Sequence, residues 1–279
     1  MLSAAAWFEK RWTSLVDIGV EIGQSAIEES LVDTLSGRRP VERAYIWVGD
    51  ILDEQLFAAM AITMLGGLPV TPLLLLVDCT GSKLRAVRGM AGLHPDDLLT
   101  LPAVEVGATE LEEASNVWDA VTATEVKPLN QVLSNGQLPG FLEVTRQLAR
   151  RYPSAENGLE VWEEWLLREL ASGSGNVATT VARCISEGQA FKADRVGDQH
   201  LLARIAALGG KGLRSPLLEY DETVSLVAAT VKVTRTGERV LAGDDNHLVV
   251  NDVKRQVGGV TVSDQARWCY DGNSVRLLG

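Results

Sequence analysis

Two groups of side chains in this 279-residue chain have the types and spacing to do chemistry. The first is acidic. Asp78-Cys-Thr-Gly-Ser82 follows an apolar run and fits the pattern D-x-[ST]-x-S. A carboxylate at a strand end, with hydroxyls two and four residues on, offers Mg²⁺ a set of oxygens. Asp50, Asp53 and Glu54 follow an earlier apolar run. With Asp78 they would meet where parallel strands end, the ligand crevice of an open α/β sheet. Paired carboxylates there can bind a cation or act as general base. The plainer reading is local: Asp78 closes a turn that Gly81 permits, and Asp50 or Asp53 caps the next helix and complements its dipole. The plainer reading is preferred, because no second acidic motif accompanies the short pattern.

The second group is basic. Lys192, Arg195, Arg204, Lys211 and Arg214 face only Asp194 and Asp198 across the same stretch, and Lys232, Arg235 and Arg239 follow. Such a patch can contact phosphates, with Gln199 or His200 toward base edges. It can equally be a solvated face, or a face that docks on an acidic protein surface. The three histidines, His94, His200 and His247, share no metal-ligand spacing. No GxSxG, Walker A or GxGxxG motif follows a strand. The sequence names no cofactor.

The elements that must position these groups are legible from periodicity. Residues 5–35 repeat apolar positions at helical spacing, and Ser36-Gly-Arg-Arg-Pro40 stops them. Ala44–Val48 and Leu73–Val77 read as buried strands joined by a helix to about Leu65, a βαβ unit with a parallel sheet. The uncharged run Leu56–Val77 has the length of a membrane span, but Gly66-Gly67, Pro69 and Pro72 break it into helix and strand. Residues 109–151 read mostly as helix, with one starting at Pro139, and Pro153–Asn157 reads as the domain boundary. Helices are then expected over 159–170, 178–186 and 197–208, followed by a hairpin of 216–220 with 230–234. Three helices and a hairpin is the winged-helix order. T-x-x-G-x-x-x-L-x-G, from Thr234 to Gly243, closes the wing in many such domains. A second helix over His247–Gln256 and a final hairpin turned by Tyr270-Asp-Gly-Asn273 complete the chain.

Bulk composition narrows the classes. At 46% apolar and 23% charged the chain is ordinary globular protein. A net charge of −11 argues against a general nucleic-acid coat or an anionic-membrane binder. Residues 1–150 hold 11 Lys+Arg against 20 Asp+Glu, and the rest hold 15 against 17, so an anion-binding surface is expected in the second half. Cys79, Cys184 and Cys269 are odd in number and far apart, which predicts a reducing, cytoplasmic setting and no disulfide-linked partner. The N-terminus lacks a basic segment before an apolar core, so no signal peptide is expected.

Over residues 44–279 the chain resembles the bacterial family known as domain of unknown function 1835, with its attached C-terminal helical domain. The carriers are Ile46-Trp47 with Gln55-Leu56, the strand ending in Asp78, and Arg88-Gly-Met-Ala-Gly-Leu93 before HPDDL. Further on come Arg151-Tyr-Pro-Ser, Asn157-Gly-Leu159, Val196-Gly-Asp198, the Thr234–Gly243 motif, and Asn251-Asp-Val with Gly258-Gly-Val260. The family's acidic-His-Asp step after the first Trp is replaced by Gly49-Asp50-Ile51, so a site built there is altered. The family's N-terminal strand region is replaced by residues 5–35. The resemblance implies a bacterial or phage cytosolic protein and implies no activity.

The expectation is therefore an α/β protein: an N-terminal helical segment (1–40), a small parallel sheet with flanking helices (41–155) and a winged-helix-like α+β domain (156–279). Its expected role is regulatory or interactive, through protein docking or DNA contact at Lys192, Arg195, His200, Arg204, Lys211, Arg214 and Arg235. The alternative is a metal- or nucleotide-dependent enzyme or ligand-binding protein using Asp50, Asp53 and Asp78.

Overall fold

The uncharged run that mimics a membrane span divides as its glycines and prolines predict. The computed structural model describes residues 26–49, 51–79, 96, 100–135, 139–173, 175–187, 194–210, 212–263 and 265–278. Among these no helix is long and apolar enough to cross a membrane. The chain is mixed α/β and splits into two units: Met1–Ala123 with Ser134–Thr145, and Thr124–Leu133 with Arg146–Gly279.

In the first unit α1 (Ala26–Leu35) ends at Ser36-Gly37, where Gly37 takes φ 74, a conformation that favours glycine. Strand β1 (Arg43–Val48), helix α2 (Leu52–Gly66) and strand β2 (Leu73–Asp78) form the expected parallel crossover, with Ile46 beside Leu76. A third strand, β3 (Ala103–Glu105), joins β2 antiparallel, so the sheet is mixed rather than parallel. The order is β1-β2-β3. Helix α2 has no polar face over Ala58–Leu65 because it is enclosed by β1, β2 and α3 (Ala108–Thr122). Its one buried hydroxyl, Thr63, donates to Ala59 O at 2.8 Å. Helices α4 (Lys127–Asn135) and α5 (Pro139–Ala149) contain two of the three points at which the chain passes from one unit to the other.

In the second unit α6 (Val161–Ser172), α7 (Val177–Glu187) and α8 (Asp198–Gly209) pack on one another around Trp162, Leu166, Leu201, Ile205 and Leu208. Strands β4 (Leu218–Glu219) and β5 (Lys232–Val233) pair antiparallel as expected. The chain between α6 and α7 adds a third line: Asn176 bridges Thr230 antiparallel, and Val231 N donates to Gly175 O at 2.8 Å. Gly175 has φ 72 and no room for a Cβ against Val231 O.

Helix α9 (Arg235–Ala242) is opened by Thr234, whose hydroxyl accepts from Gly237 N, and closed by Gly243 at φ 78. The helix expected over 247–256 is cut to α10 (His247–Val250). Asn251 ends it in extended conformation, because its amide is clamped to both backbone groups of Ser215, at 2.8 and 2.9 Å. Residues beyond it enter β6 (Arg255–Val257), which turns at Gly258 into β7 (Val260–Val262). The last hairpin, β8 (Trp268–Tyr270) with β9 (Val275–Leu277), is as expected. Residues 153–157, expected to be a boundary, lie inside the second unit, where Ser154 bridges Tyr270. Asn130 donates to Val275 O at 2.7 Å and accepts from Val275 N at 2.8 Å.

Candidate functional site

Of the acidic group, Asp53 lies exposed in the first turn of α2 and Asp78 exposed at the end of β2. Asp50 and Thr80–Ser82 lie outside the described residues. Ile51, not an aspartate, occupies the N-cap of α2, and its hydrocarbon side chain has no oxygen to accept a cap hydrogen bond. Asp53 is left to complement the helix dipole. Cys79 is buried beside this turn, and its thiol is pushed up by burial, then by the charges of Asp78 and Glu54. Among the described residues no group of three or more His, Cys, Asp and Glu could hold a metal ion.

The basic group has a different fate from the one its net charge suggests. Arg204 is 24% exposed and points its Nε at the buried carboxylate of Glu160, 2.7 Å away. The contact is one of charge, since Glu160 Oε1 is not aligned for a hydrogen bond. Arg204 also donates to His200 Nε2 at 3.3 Å. Arg214 is exposed and pairs with Asp252 at 2.6 Å. Arg195 is half-buried, and its Nη1 is shut away from water without a hydrogen-bond partner among the described residues. Arg235 and Lys232 are exposed, while Lys192 and Lys211 lie outside the described residues.

Arg204 and His200 belong to a buried network at the start of α6 that the sequence reading missed. Glu160 is the N-cap residue, and Glu163, one turn in, accepts from the Glu160 N–H at 3.1 Å. Both carboxylates are 1% exposed. Glu163 is matched by Arg255 Nη1 at 2.8 Å, brought in by β6. Arg151 forks onto Asp194, which also accepts from Trp162 Nε1 at 3.2 Å. Asn251 Nδ2 and His247 Nδ1 lie 3.1 Å apart. Three carboxylates thus face three guanidinium groups.

Burial raises Glu163, but the Arg255 and Arg204 charges outweigh it and hold the carboxyl at about 2. Burial wins at Glu160, which is raised despite Arg204. Burial pushes His200 down to about 3, with Arg204 adding to the effect. Burial also pushes His247 down to about 4, opposed by Glu163. Two carboxylates driven apart in acidity is a pattern of acid–base sites. Here both carboxylates are buried, and the network fixes the α6 terminus.

A signal for the network was present. Arg204 stands three residues after Leu201 and four before Leu208, on the buried stripe of α8. Glu163 stands three before Leu166 and four before Leu167 on α6. A charge on an apolar stripe calls for an opposite charge on the element that faces it.

Elsewhere in the second unit a cavity of about 620 Å³ is lined by Arg150, Tyr152, Glu156, Leu159, Tyr270 and Arg276, among others. That volume suits a small molecule. Arg276 is already matched by Asp271 at 3.0 Å. The three cysteines are buried and unlinked, and burial raises Cys184 to about 12 and Cys269 to about 11.

Compared with models of known families, with curated proteins and with solved structures, the chain matches none.

Proposed function

We propose that this chain is an interaction protein and that its second unit is a winged-helix-like module used to dock a protein rather than to grip DNA. The order of three packed helices followed by β4 and β5 supports the module, as does the Asn176–Thr230 bridge that adds a third line to the hairpin. The observation that carries the choice of partner is the inward turn of Arg204 onto Glu160. In this reading α8 would be the recognition helix, yet its exposed positions are Asp198, Gln199 and Ala207. Affinity for DNA comes mainly from cations on phosphates. A reducing, cytoplasmic setting accords with three unlinked cysteines. Membership of the domain-of-unknown-function family named above is part of the same proposal and adds no activity to it.

Fluorescence anisotropy with random duplex DNA across a salt series tests the reading. The expected result is no salt-steep binding, together with a protein adduct from a photo-crosslinker placed at Ala207. Salt-steep binding that Arg235→Glu abolishes would overturn it.

A second reading has one observation in its favour. Asp78 ends β2 beside parallel β1, and the charges of Asp78 and Glu54 bear on the same thiol. A ligand site there predicts a higher melting temperature with millimolar Mg²⁺ or nucleotide. An unchanged melting temperature would reject it.

A further inference from the structure

The cleft of about 620 Å³ in the second unit is built on backbone that is held from several sides. Ser154 N donates to Leu159 O at 2.8 Å and Gly158 N to Ser154 O at 2.9 Å, so the loop between α5 and α6 closes on itself. Tyr270 N donates to Pro153 O at 2.8 Å and Ala155 N to Tyr270 O at 3.1 Å, which ties that loop to β8. Gly158 takes φ 74 against the start of α10, where a Cβ would lie 2.8 Å from both His247 N and Leu248 N. Walls fixed in this way lose little conformational freedom when a ligand enters.

The charges that line the cleft sort into pairs and a remainder. Arg276 Nε lies 3.0 Å from Asp271 Oδ2. Asp271 also accepts from Ser274 N at 2.9 Å and Asn273 N at 3.0 Å, and these bonds hold its carboxyl below the usual range. Glu164 accepts from Arg168 Nε at 3.1 Å and from its Nη2 at 2.6 Å. Two opposite charges are left over. Arg150 is exposed, and among the described residues its guanidinium donates only to the neutral amide oxygen of Gln147, at 3.3 Å. Glu156 bonds through its backbone alone, its N–H to Ser154 Oγ at 3.1 Å and its C=O to Asn246 Nδ2 at 3.4 Å. Its carboxylate is exposed and has no partner among the described residues. The cleft is also lined by Tyr152, Leu159 and Tyr270. The Tyr152 hydroxyl donates to Val257 O at 3.4 Å and the Tyr270 hydroxyl to Gly272 O at 2.7 Å, so the tyrosines offer a ligand their rings.

A ligand that matches this lining carries one charge of each sign on an apolar body. An anion alone leaves Glu156 unanswered, and a cation alone leaves Arg150 unanswered. The cleft is larger than one amino acid, and a short peptide with free termini has the required charges at its two ends. We propose that the cleft binds such a peptide, with its carboxylate on Arg150, its ammonium on Glu156 and an apolar side chain against the tyrosine rings. The planar guanidinium suits a carboxylate, which it can meet through two parallel bonds. No residue of α8 lines the cleft, so this site does not depend on the docking reading above.

The test is isothermal titration of the intact full-length chain with phenylalanine, Ala-Phe, Ala-Phe-Ala and Ala-Phe-Ala-Ala, each also in N-acetylated and in C-amidated form. The expected result is binding of at least one free peptide, weakened about tenfold by either cap, which is the worth of one charge-assisted hydrogen bond. Two variants assign the ends. Arg150→Gln should bind the free and the amidated peptide alike, and Glu156→Gln the free and the acetylated peptide alike. Both positions are exposed, so both variants should keep the parent's circular dichroism spectrum. A merely structural role for either residue would weaken all forms equally. Caps that change nothing, or variants that still tell capped from free peptide, would overturn the site. Phenylalanine binding as tightly as every peptide would overturn the peptide as its ligand. No heat and no rise in melting temperature with any of these compounds at millimolar concentration would overturn both.

Discussion

Helices α2 and α6 both start with acidic residues, and Asp53 of one and Glu163 of the other meet opposite surroundings. In α2 Asp53 stays in water and the stretch Ala58–Leu65 is buried. In α6 the corresponding first turn is sealed, so Glu163 needs Arg255 from 92 residues further along the chain. The first arrangement asks only for apolar side chains of suitable volume. The second ties distant segments together through specific partners, and it is costly to break although it adds little over an apolar pair.

The contrast is broken most directly at Arg255, which is 8% exposed. Arg255→Met leaves Glu163 buried without its partner and is expected to cost about 3–5 kcal/mol in urea denaturation of the full chain. Glu163→Leu/Arg255→Met should recover most of that loss. A single variant no weaker than the double would mean that the pair does not act as a unit.

Acid sharpens the contrast. An ordinary histidine takes its proton near 6.5, whereas in the fold His247 is held at about 4 and His200 at about 3. The unfolded chain therefore binds protons first. The stability these histidines contribute is complete above pH 6.5 and is lost as pH falls toward 4 and 3. At pH 5 the loss is about 2 kcal/mol per histidine. Glu163, lowered to about 2, adds a further loss below its ordinary 4.5. Hydrogen exchange, corrected for intrinsic rates, should show α6 losing protection between pH 7 and 5 while α2 keeps its own. Equal loss in both helices would erase the distinction.

Smaller effects bound the comparison. Thr234 accepts from Gly237 N and donates to Pro216 O at 2.8 Å, so Thr234→Ala should cost about 1 kcal/mol in the same denaturation assay. Ile51 at the start of α2 makes no such bond, so that helix has no counterpart to this loss. Arg214 and Asp252 are both exposed, and Arg214→Ala should change stability by less than about 0.5 kcal/mol. A larger change would put Arg214 among the buried pairs in its effect.

Much of the fold was legible because burial leaves a period in the sequence. The strands around Ile46 and Leu76 are continuous apolar runs, and the three helices around Trp162, Val181 and Leu201 repeat at helical spacing. The antiparallel β3 was less legible, since all three of its residues are exposed and carry no alternation. The helix that ends at Val250 was overextended because its terminator is Asn251 clamped to Ser215, a contact between distant residues. The candidate surface was read from a sum of charges, and a sum has no direction. Arg204 counts as one cation whether it faces water or Glu160. Its place on the Leu201–Leu208 stripe held the direction.

Asn130 has a consequence for the molecule in a crowded solution. Its side-chain amide meets the N–H and C=O of Val275 as a neighbouring strand would. An outermost strand normally offers such groups to the strands of other molecules, which is how sheets grow into aggregates. One asparagine, set on a helix, fills that place with a partner one residue long from which no further strand can extend. Leu277, two residues on and exposed, then sits at an edge whose register is already occupied.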